Sequence, residues 1–218
     1  MSDLPRIECI PNGPLKVQGL TTLRNARGEA LPVEPSTFLC RCGGSARKPY
    51  CDGTHRRNGF ASAKSPERTP ERVDHYRGRQ VTIHDNRGLC AHAGRCTDGL
   101  PATFRHGQEP FIDADADADA VARICEVVAS CPSGALSVTV HDAASAPPAA
   151  PPRPPGIVVT PGPYAVVGGI AIDQPQGAGA SAEHYTLCRC GASKNKPFCD
   201  GSHWAVGFKD EPAAGTPA

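Results

Sequence analysis

Two segments of the chain contain three cysteines and one histidine at the same spacing, Cys-x-Cys-x8-Cys-x3-His. The residues are Cys40, Cys42, Cys51 and His55 in the first segment and Cys188, Cys190, Cys199 and His203 in the second. A matching stretch precedes each segment, beginning at Gly13 and at Gly162, so a unit of about 50 residues occurs twice. The chain must therefore fold around two equivalent sets of metal-ligating side chains.

Composition supports small cores rather than one large core. Only 5% of the 218 residues are aromatic, while Gly and Pro occur 23 times each. Small domains bury little apolar surface and are often stabilised by metals or disulfides. The cysteine count of 11 is odd, and the first residues, Met1 to Pro11, contain no long apolar run of an export signal. We therefore expect a reducing compartment, the cytoplasm, and metal-ligating thiols rather than disulfides.

The repeated units read as short strands between Pro and Gly turn signals. The predicted strands are residues 7–10, 15–20 and 37–39 in the first unit and 157–160, 164–172 and 185–187 in the second. After the third cysteine of each unit, Asp52 or Asp200 is placed to cap a helical turn by accepting hydrogen bonds from free backbone N–H groups.

Three thiols and one imidazole at fixed spacing form a metal site, but the spacing alone leaves two metals open. Three Cys and one His are a common structural zinc set. The Cys-x-Cys pair is tighter than most zinc pairs, whereas it suits two thiolates on one iron of an iron–sulfur cluster. The remaining Cys and His, which are separated by three residues, would then face a second iron.

The full pattern Cys-x-Cys-x2-Ser-x3-Pro-x-Cys-Asp-Gly-(Ser/Thr)-His resembles the CDGSH iron–sulfur family, also called NEET proteins, and both copies match it. The resemblance implies a 2Fe–2S cluster at each site, with the eight repeated donors as its ligands. It also implies a solvent-facing ligand histidine that couples reduction to protons and makes the cluster labile. Two motifs in one chain resemble the tandem type of this family.

Between the repeats, residues 76–142 resemble a divergent single-cluster ferredoxin family. Cys90 and Cys96 keep the first and third positions of a Cys-x2-Cys-x2-Cys run, Ala93 replaces the second, and Cys131-Pro132 supplies the distant ligand. The resemblance implies a third cluster on these three cysteines, either 3Fe–4S or 4Fe–4S. His92 is either a fourth ligand or a surface loop residue.

Local patterns predict the structure of this middle segment. We expect a strand over 76–85, a strand over Leu136–Val140, and a helix that starts in the acidic run 113–119. The apolar face of that helix consists of Val121, Ile124, Cys125 and Val128. We interpret the thiols of Cys9 and Cys125 as structural.

Together these patterns predict an α+β, β-rich fold. Two CDGSH lobes form an intramolecular pseudo-dimer, their matching upstream strands pair or swap, and a small ferredoxin-like α+β domain accompanies them. The predicted domains are a first CDGSH domain at 1–75, the ferredoxin-like domain at 76–142, an Ala/Pro-rich linker at 143–156, a second CDGSH domain at 157–210 and a tail at 211–218.

The expected function is one-electron transfer by an iron–sulfur protein without a catalytic site of its own. Alternatives are cluster storage and transfer to apo-proteins, redox or pH sensing, and a zinc-stabilised module. Expected partners are a redox partner or apo iron–sulfur proteins, and the chain is expected to be a monomer. A net charge of +1 without a basic stripe argues against nucleic acid. The longest near-apolar run, 164–172, is too short for a membrane helix.

Overall fold

The computed structural model describes residues 4–148 and 151–212. The strands are β1 (Arg6–Cys9), β2 (Leu15–Gln18), β3 (Leu23–Asn25), β4 (Ser36–Leu39), β5 (Asp74–Arg77), β6 (Val81–Asp85), β7 (Leu136–Val140), β8 (Gly156–Val159), β9 (Tyr164–Val167), β10 (Ala171–Ile172) and β11 (His184–Leu187). The α-helices are α1 (Arg95–Gly99), α2 (Val121–Ala129) and α3 (Ser202–Ala205). Part of the predicted linker (149–150) and most of the predicted tail (213–218) lie outside the described residues.

The two repeats exchange strands. One four-stranded sheet has the order β10-β1-β2-β4 and the other has the order β11-β9-β8-β3, so each sheet takes one strand from the opposite repeat. Both exchanged strands pair in parallel, with Arg6 opposite Ala171 and Leu23 opposite Ile157. The expectation that matching strands pair or swap between the lobes is confirmed.

A single apolar core joins the two lobes. Alternation in β2 turns Leu15 and Val17 inward, and β9 does the same with Tyr164 and Val166, all four being fully buried. Side chains from both sheets belong to one buried cluster. Sharing one core lets two small repeats bury more apolar surface than either repeat could bury alone.

The middle segment has its own sheet and its own core. Strand β6 lies between β5 and β7, with both pairs antiparallel, and α2 packs against β7. Val81, Ile83 and Ile124 lie in a buried cluster separate from that of the two lobes. Strand β7 spans Leu136–Val140, as predicted.

Glycines divide two of the predicted strands. The predicted strand 164–172 is broken by Gly168 and Gly169, whose φ angles of 75° and 69° favour glycine and turn the chain between β9 and β10. The predicted strand 76–85 is instead the hairpin β5–β6, closed by a hydrogen bond from the Gly78 N–H to the Val81 carbonyl, 2.9 Å. Strand β3, Leu23–Asn25, was not predicted because three residues carry little periodicity.

The acidic run 113–119 does not start the middle helix, and that prediction is wrong. These residues form consecutive turns, and α2 begins at Val121. The aspartates bond locally or to other segments instead: Asp113 accepts from the Asp115 N–H at 3.1 Å, and Asp117 accepts from the Thr103 hydroxyl at 2.7 Å. Aspartate side chains that compete for backbone donors favour turns over helix interiors.

The molecule is mostly sheet with few helices, as the predicted β-rich α+β class requires. The domain boundaries stay predictions, since each large sheet is built from both ends of the chain. Within the described ranges, no helix has the length and apolarity needed to cross a membrane.

Candidate metal centres

Each repeated site arranges its four donors as two pairs. In the first site the Sγ atoms of Cys40 and Cys42 lie 3.6 Å apart, and Cys51 Sγ lies 3.4 Å from His55 Nδ1. The corresponding distances in the second site, between Cys188 and Cys190 and between Cys199 and His203, are 3.7 and 3.4 Å. All eight predicted ligands are therefore brought together four by four, with the same pairing in both sites.

Buried arginines hold the Cys-x-Cys pairs against the hairpin turns that precede them. Arg41 donates from Nε to the Gly13 carbonyl at 2.7 Å and from Nη2 to the Ile10 carbonyl at 2.6 Å. Arg189 donates from Nη1 to the Thr160 carbonyl at 2.6 Å. The sequence reasoning missed these residues, although the repeated triplet Cys-Arg-Cys was visible.

Side chains between the second and third ligands shape the ligand loop. The hydroxyls of Ser45 and Ser193 donate to the carbonyls of Tyr50 and Phe198, both at 2.7 Å. Both hydroxyls therefore hold the loop closed by donating hydrogen bonds to its backbone.

The predicted caps are present. Asp52 accepts from the Thr54 N–H at 3.0 Å and from the Ala46 N–H at 2.8 Å. Hydrogen bonds from Thr54 and Ala46 hold the pKa of the Asp52 carboxyl below its usual range. Asp200 accepts from the Ser202 N–H at 3.0 Å in the second site. Each aspartate thus fixes the turn that carries the ligand histidine.

A hydrogen bond couples the two thiols of the Cys-x-Cys pair in the second site. A hydrogen bond from the Cys188 thiol lowers the pKa of Cys190 to about 6, and the same bond, with burial, raises the pKa of Cys188. Burial also raises the pKa of Cys199 to about 12 and lowers the pKa of His203. Metal ligation requires deprotonated thiols, so binding at this site would release protons.

The middle cysteines face one cavity of about 220 Å³, which Cys90, Cys96 and Cys131 line together. Burial and the nearby charge of Cys90 raise the pKa of Cys96 to about 11. Cys90 Sγ accepts from the backbone N–H of His92 at 3.4 Å. The three thiols predicted from the sequence therefore meet in one place.

Two histidines also line this cavity, His92 and His106. The sequence reasoning named His92 and missed His106, which lies in the loop closed by the bridge between Phe104 and Ile112. Because both histidines line the cavity, both interpretations of His92, as a fourth ligand or as a surface loop residue, stay predictions. Cys9 and Cys125 belong to none of the three sites, and all eleven cysteines are free thiols.

The second repeated site adjoins both the first repeated site and the middle site. Cys42 and Cys190 form an antiparallel bridge between the two repeated sites, and a Cβ built on Gly43 would lie 2.5 Å from the Cys190 carbonyl oxygen. The indole N–H of Trp204, next to the ligand His203, donates to the His92 carbonyl in the middle site at 3.1 Å. A cavity of about 530 Å³ lies at that junction.

The residues fit iron–sulfur ligation by their donor chemistry. Thiolates hold iron–sulfur clusters, and imidazoles replace some thiolates in part of this class. Among the residues described, no three His, Cys, Asp or Glu side chains have the arrangement of a single metal-ion site. The donors of the repeated sites are arranged in pairs instead.

Comparisons with known proteins agree with this donor chemistry. The family model described as the iron-binding zinc finger of CDGSH type matches residues 12–56 and 161–204. The model described as a divergent 4Fe-4S mono-cluster matches residues 76–141. No solved structure matches the chain.

Curated relatives include the uncharacterized protein YjdI of Escherichia coli strain K12 and the protein of the same name from Escherichia coli O157:H7. Each is 36% identical over 61 residues, which are 28% of this chain and 78% of the relative. Two CDGSH matches on either side of a mono-cluster match, with the ligand pairs assembled as above, reproduce the tandem arrangement that the sequence resembles. The chain is an iron–sulfur protein and belongs to the CDGSH iron-binding family, as a tandem member with an inserted divergent 4Fe–4S mono-cluster domain.

Proposed function

We propose that the chain is a one-electron carrier with a 2Fe–2S cluster at each repeated site and a third cluster at the middle site. The ligands of the repeated sites would be their three cysteines and one histidine, and those of the middle site Cys90, Cys96 and Cys131. The pairing of donors at 3.4 to 3.7 Å supports two irons per repeated site, because each pair can serve one iron.

The observation that carries the electron-transfer role is the contact between the sites. The backbone bridge between Cys42 and Cys190 joins the repeated sites, and the Trp204–His92 hydrogen bond joins the second one to the middle site. A bound iron–sulfur cluster supplies a one-electron couple. Adjoining redox sites in one small protein favour a carrier over three unrelated structural centres.

A histidine ligand sets the potential of each repeated site. Three thiolates and a neutral imidazole leave a cluster less negative than four thiolates would, so it accepts an electron more readily. The imidazole takes up protons near neutral pH when its environment allows it. We therefore expect potentials above those of all-cysteine 2Fe–2S ferredoxins.

Metal analysis of protein purified without air tests the cofactor assignment. We expect iron and acid-labile sulfide in equal amounts at the repeated sites, and after reduction the EPR signals of two 2Fe–2S centres. EPR of the middle site distinguishes three irons from four. A colourless protein that contains zinc and no sulfide would contradict the proposal.

Electron transfer must also be separated from cluster delivery, which the partial exposure of the first site favours as a second candidate. Reduced protein is mixed with an oxidised one-electron acceptor, and its iron content is measured before and after. Reoxidation with full retention of iron supports a carrier. Incubation with an apo-ferredoxin tests delivery, because transfer of iron and sulfide on the same timescale would favour that role instead.

We further infer that the protein acts as a monomer in a reducing compartment such as the cytoplasm, without a catalytic site of its own. The free state of all eleven cysteines and the internal pairing of the two lobes support this inference. Gel filtration of the loaded protein measures the oligomeric state, and a dimer would contradict this part of the proposal.

A further inference from the structure

The two repeated sites share their ligands but differ in what surrounds them. The ligand His55 is followed by Arg56 and Arg57, whereas His203 is followed by Trp204 and Ala205. In the ligand loop, Arg47 of the first site corresponds to an asparagine in the second. The second loop has Lys194 where the first has Ala46, so the two loops carry equal positive charge, and the sites differ in charge at Arg56 and Arg57.

The middle segment covers the second site. Asn195 is buried and donates from Nδ2 to the Gly88 carbonyl at 2.8 Å, and the Trp204 indole donates to the His92 carbonyl. A Cβ built on Gly201 would lie 2.7 Å from Cδ2 of His92, so the imidazole packs directly on the ligand turn. These contacts explain why this ligand turn is withdrawn from solvent.

The first site has no such cover. A Cβ built on Gly53, the counterpart of Gly201, would meet no atom within 4 Å. The side chain of His203 is 5% exposed, whereas His55 is only half-buried. Since both turns have the same motif and cap, the difference comes from what packs on them: the middle segment at Gly201, and Gly162 and Trp204 against the imidazole of His203.

The open site is also the positively charged one. Arg47, Arg56 and Arg57 are all exposed. None of the ion pairs found in the described part of the chain includes Arg56 or Arg57. The carboxylate nearest in sequence, Asp52, is held by backbone N–H groups. The positive charges of Arg56 and Arg57 are therefore available to a partner.

We propose that the first repeated site is the docking face for an acidic protein, with Arg56 and Arg57 beside His55 as the centre of the contact surface. The second site would stay covered by the middle segment while the partner is bound. The inference rests on the proposed function for the nature of the partner, a redox protein or apo iron–sulfur protein. Complementary charge at an interface rim steers encounter and fixes orientation.

A protein partner fits this face better than nucleic acid. The patch is two arginines beside one ligand turn, and the chain carries 23 basic and 22 acidic residues. A nucleic-acid surface is expected to show a longer basic stripe and a domain of high positive charge. A compact acidic patch on a small redox protein would complement the arginine patch in size and in charge.

Binding of an acidic plant-type apo-ferredoxin to the full-length, cluster-loaded protein tests the proposal by calorimetry. Arg56→Ser together with Arg57→Ser is expected to weaken binding about tenfold at low salt, as two exposed charges of typical strength would. The matched control is Arg77→Ser with Arg123→Ser, which removes two exposed charges from the middle segment and leaves the affinity unchanged. The tenfold difference should shrink as salt is raised.

Several results would overturn the proposal: no binding to the acidic protein, equal losses in the variant and its control, or tight binding to a duplex oligonucleotide that depends on Arg56 and Arg57. Iron and sulfide are measured in the same samples. Protein without clusters that still binds through the arginines would refute the proposed function and leave the docking face intact. If the cluster-loaded protein binds the partner equally well with and without the two arginines, the docking face alone is refuted.

Discussion

Gly53 and Gly201 form a matched pair that isolates the contribution of the middle segment to the second site. Both have left-handed φ angles, 86° and 83°, and both precede the turn that carries the ligand histidine. Alanine at either position incurs the same backbone strain. At Gly201 the new methyl group must also displace His92, whereas at Gly53 it enters open space.

The expected loss of stability has two contributions, the backbone strain of a left-handed alanine and the displacement of His92. A left-handed alanine costs roughly 1–2 kcal/mol, and this cost is common to both variants. A Cβ at 2.7 Å from Cδ2 and 3.0 Å from Cβ of His92 forces the imidazole to move. Turning a packed side chain away from its rotamer costs about 0.5–1.5 kcal/mol. We therefore expect Gly201→Ala to destabilise its site by about 1 kcal/mol more than Gly53→Ala, or about fivefold in an equilibrium.

Cluster retention is the assay, because it reports on each site separately. Holo-protein is exposed to an iron chelator at fixed pH, and the loss of each 2Fe–2S EPR signal is followed with time. In the unsubstituted protein the first site should lose its cluster sooner than the second. Gly201→Ala should raise the loss from the second site by more than Gly53→Ala raises the loss from the first.

A second substitution supplies the control. His92→Gly removes the obstructing imidazole, and glycine suits the φ of 53° at this position. In the Gly201→Ala background it should therefore recover the fivefold difference, while leaving the first site unchanged. Equal effects of the two alanine variants, or no recovery with His92→Gly, would refute the claim that the middle segment covers the second site.

Three further predictions concern the core and the ligands. Tyr164→Phe removes the hydroxyl that donates to the Cys40 and Pro49 carbonyls at 2.7 and 2.9 Å, so chemical denaturation should show a loss of about 1 kcal/mol. Burial raises the pKa of Tyr50 to about 12, so the folded protein keeps this proton where the unfolded chain loses it, near pH 10. The free energy of unfolding should therefore fall as pH rises from 10 to 12. NMR of 13C-labelled tyrosine should show no ionisation of Tyr50 near pH 10 in the folded protein. Cysteine in place of His55 or His203 should lower the potential of that cluster, slow its loss in acid and reduce its pH dependence, as redox titration at several pH values would measure; an unchanged pH profile in the double variant would refute the role of the histidines.

The repeated ligands and the β-rich fold could be predicted because each depends on local sequence. The donors of one site lie within sixteen residues, so their spacing already limits which of them can share a metal. Duplicated strands with inward-facing Val and Ile also predict two similar sheets. Even the strand exchange follows from duplication, because two copies of one unit can pair with each other as readily as with themselves.

Other features depend on competing interactions of side chains and backbone that the sequence pattern does not show. The run 113–119 has helix-compatible alanines, but its aspartates bond to Thr103 and to their own backbone, and turns result. In 164–172 the apolar residues suggest one strand, but Gly168 and Gly169 adopt left-handed geometry, and β10 leaves the sheet of β9 to pair with β1 in the other sheet. His106 was missed because nothing in its neighbourhood resembles a ligand motif, and only the folded chain brings it to the wall of the cavity that the middle cysteines line.

The difference between the two ligand turns is the feature least accessible to sequence reasoning, and it decides how the repeats divide their roles. A motif specifies which atoms can hold a cluster, but solvent access depends on whatever packs over the motif. His92 covers Gly201 from more than 100 residues earlier in the chain, and Asn195 secures that contact where the first repeat has an arginine. Duplicated ligands with one covered and one open copy can therefore specialise without any change in the ligands. Substitutions at the covering residues should then change the second site while leaving the spectrum of the first site as it is.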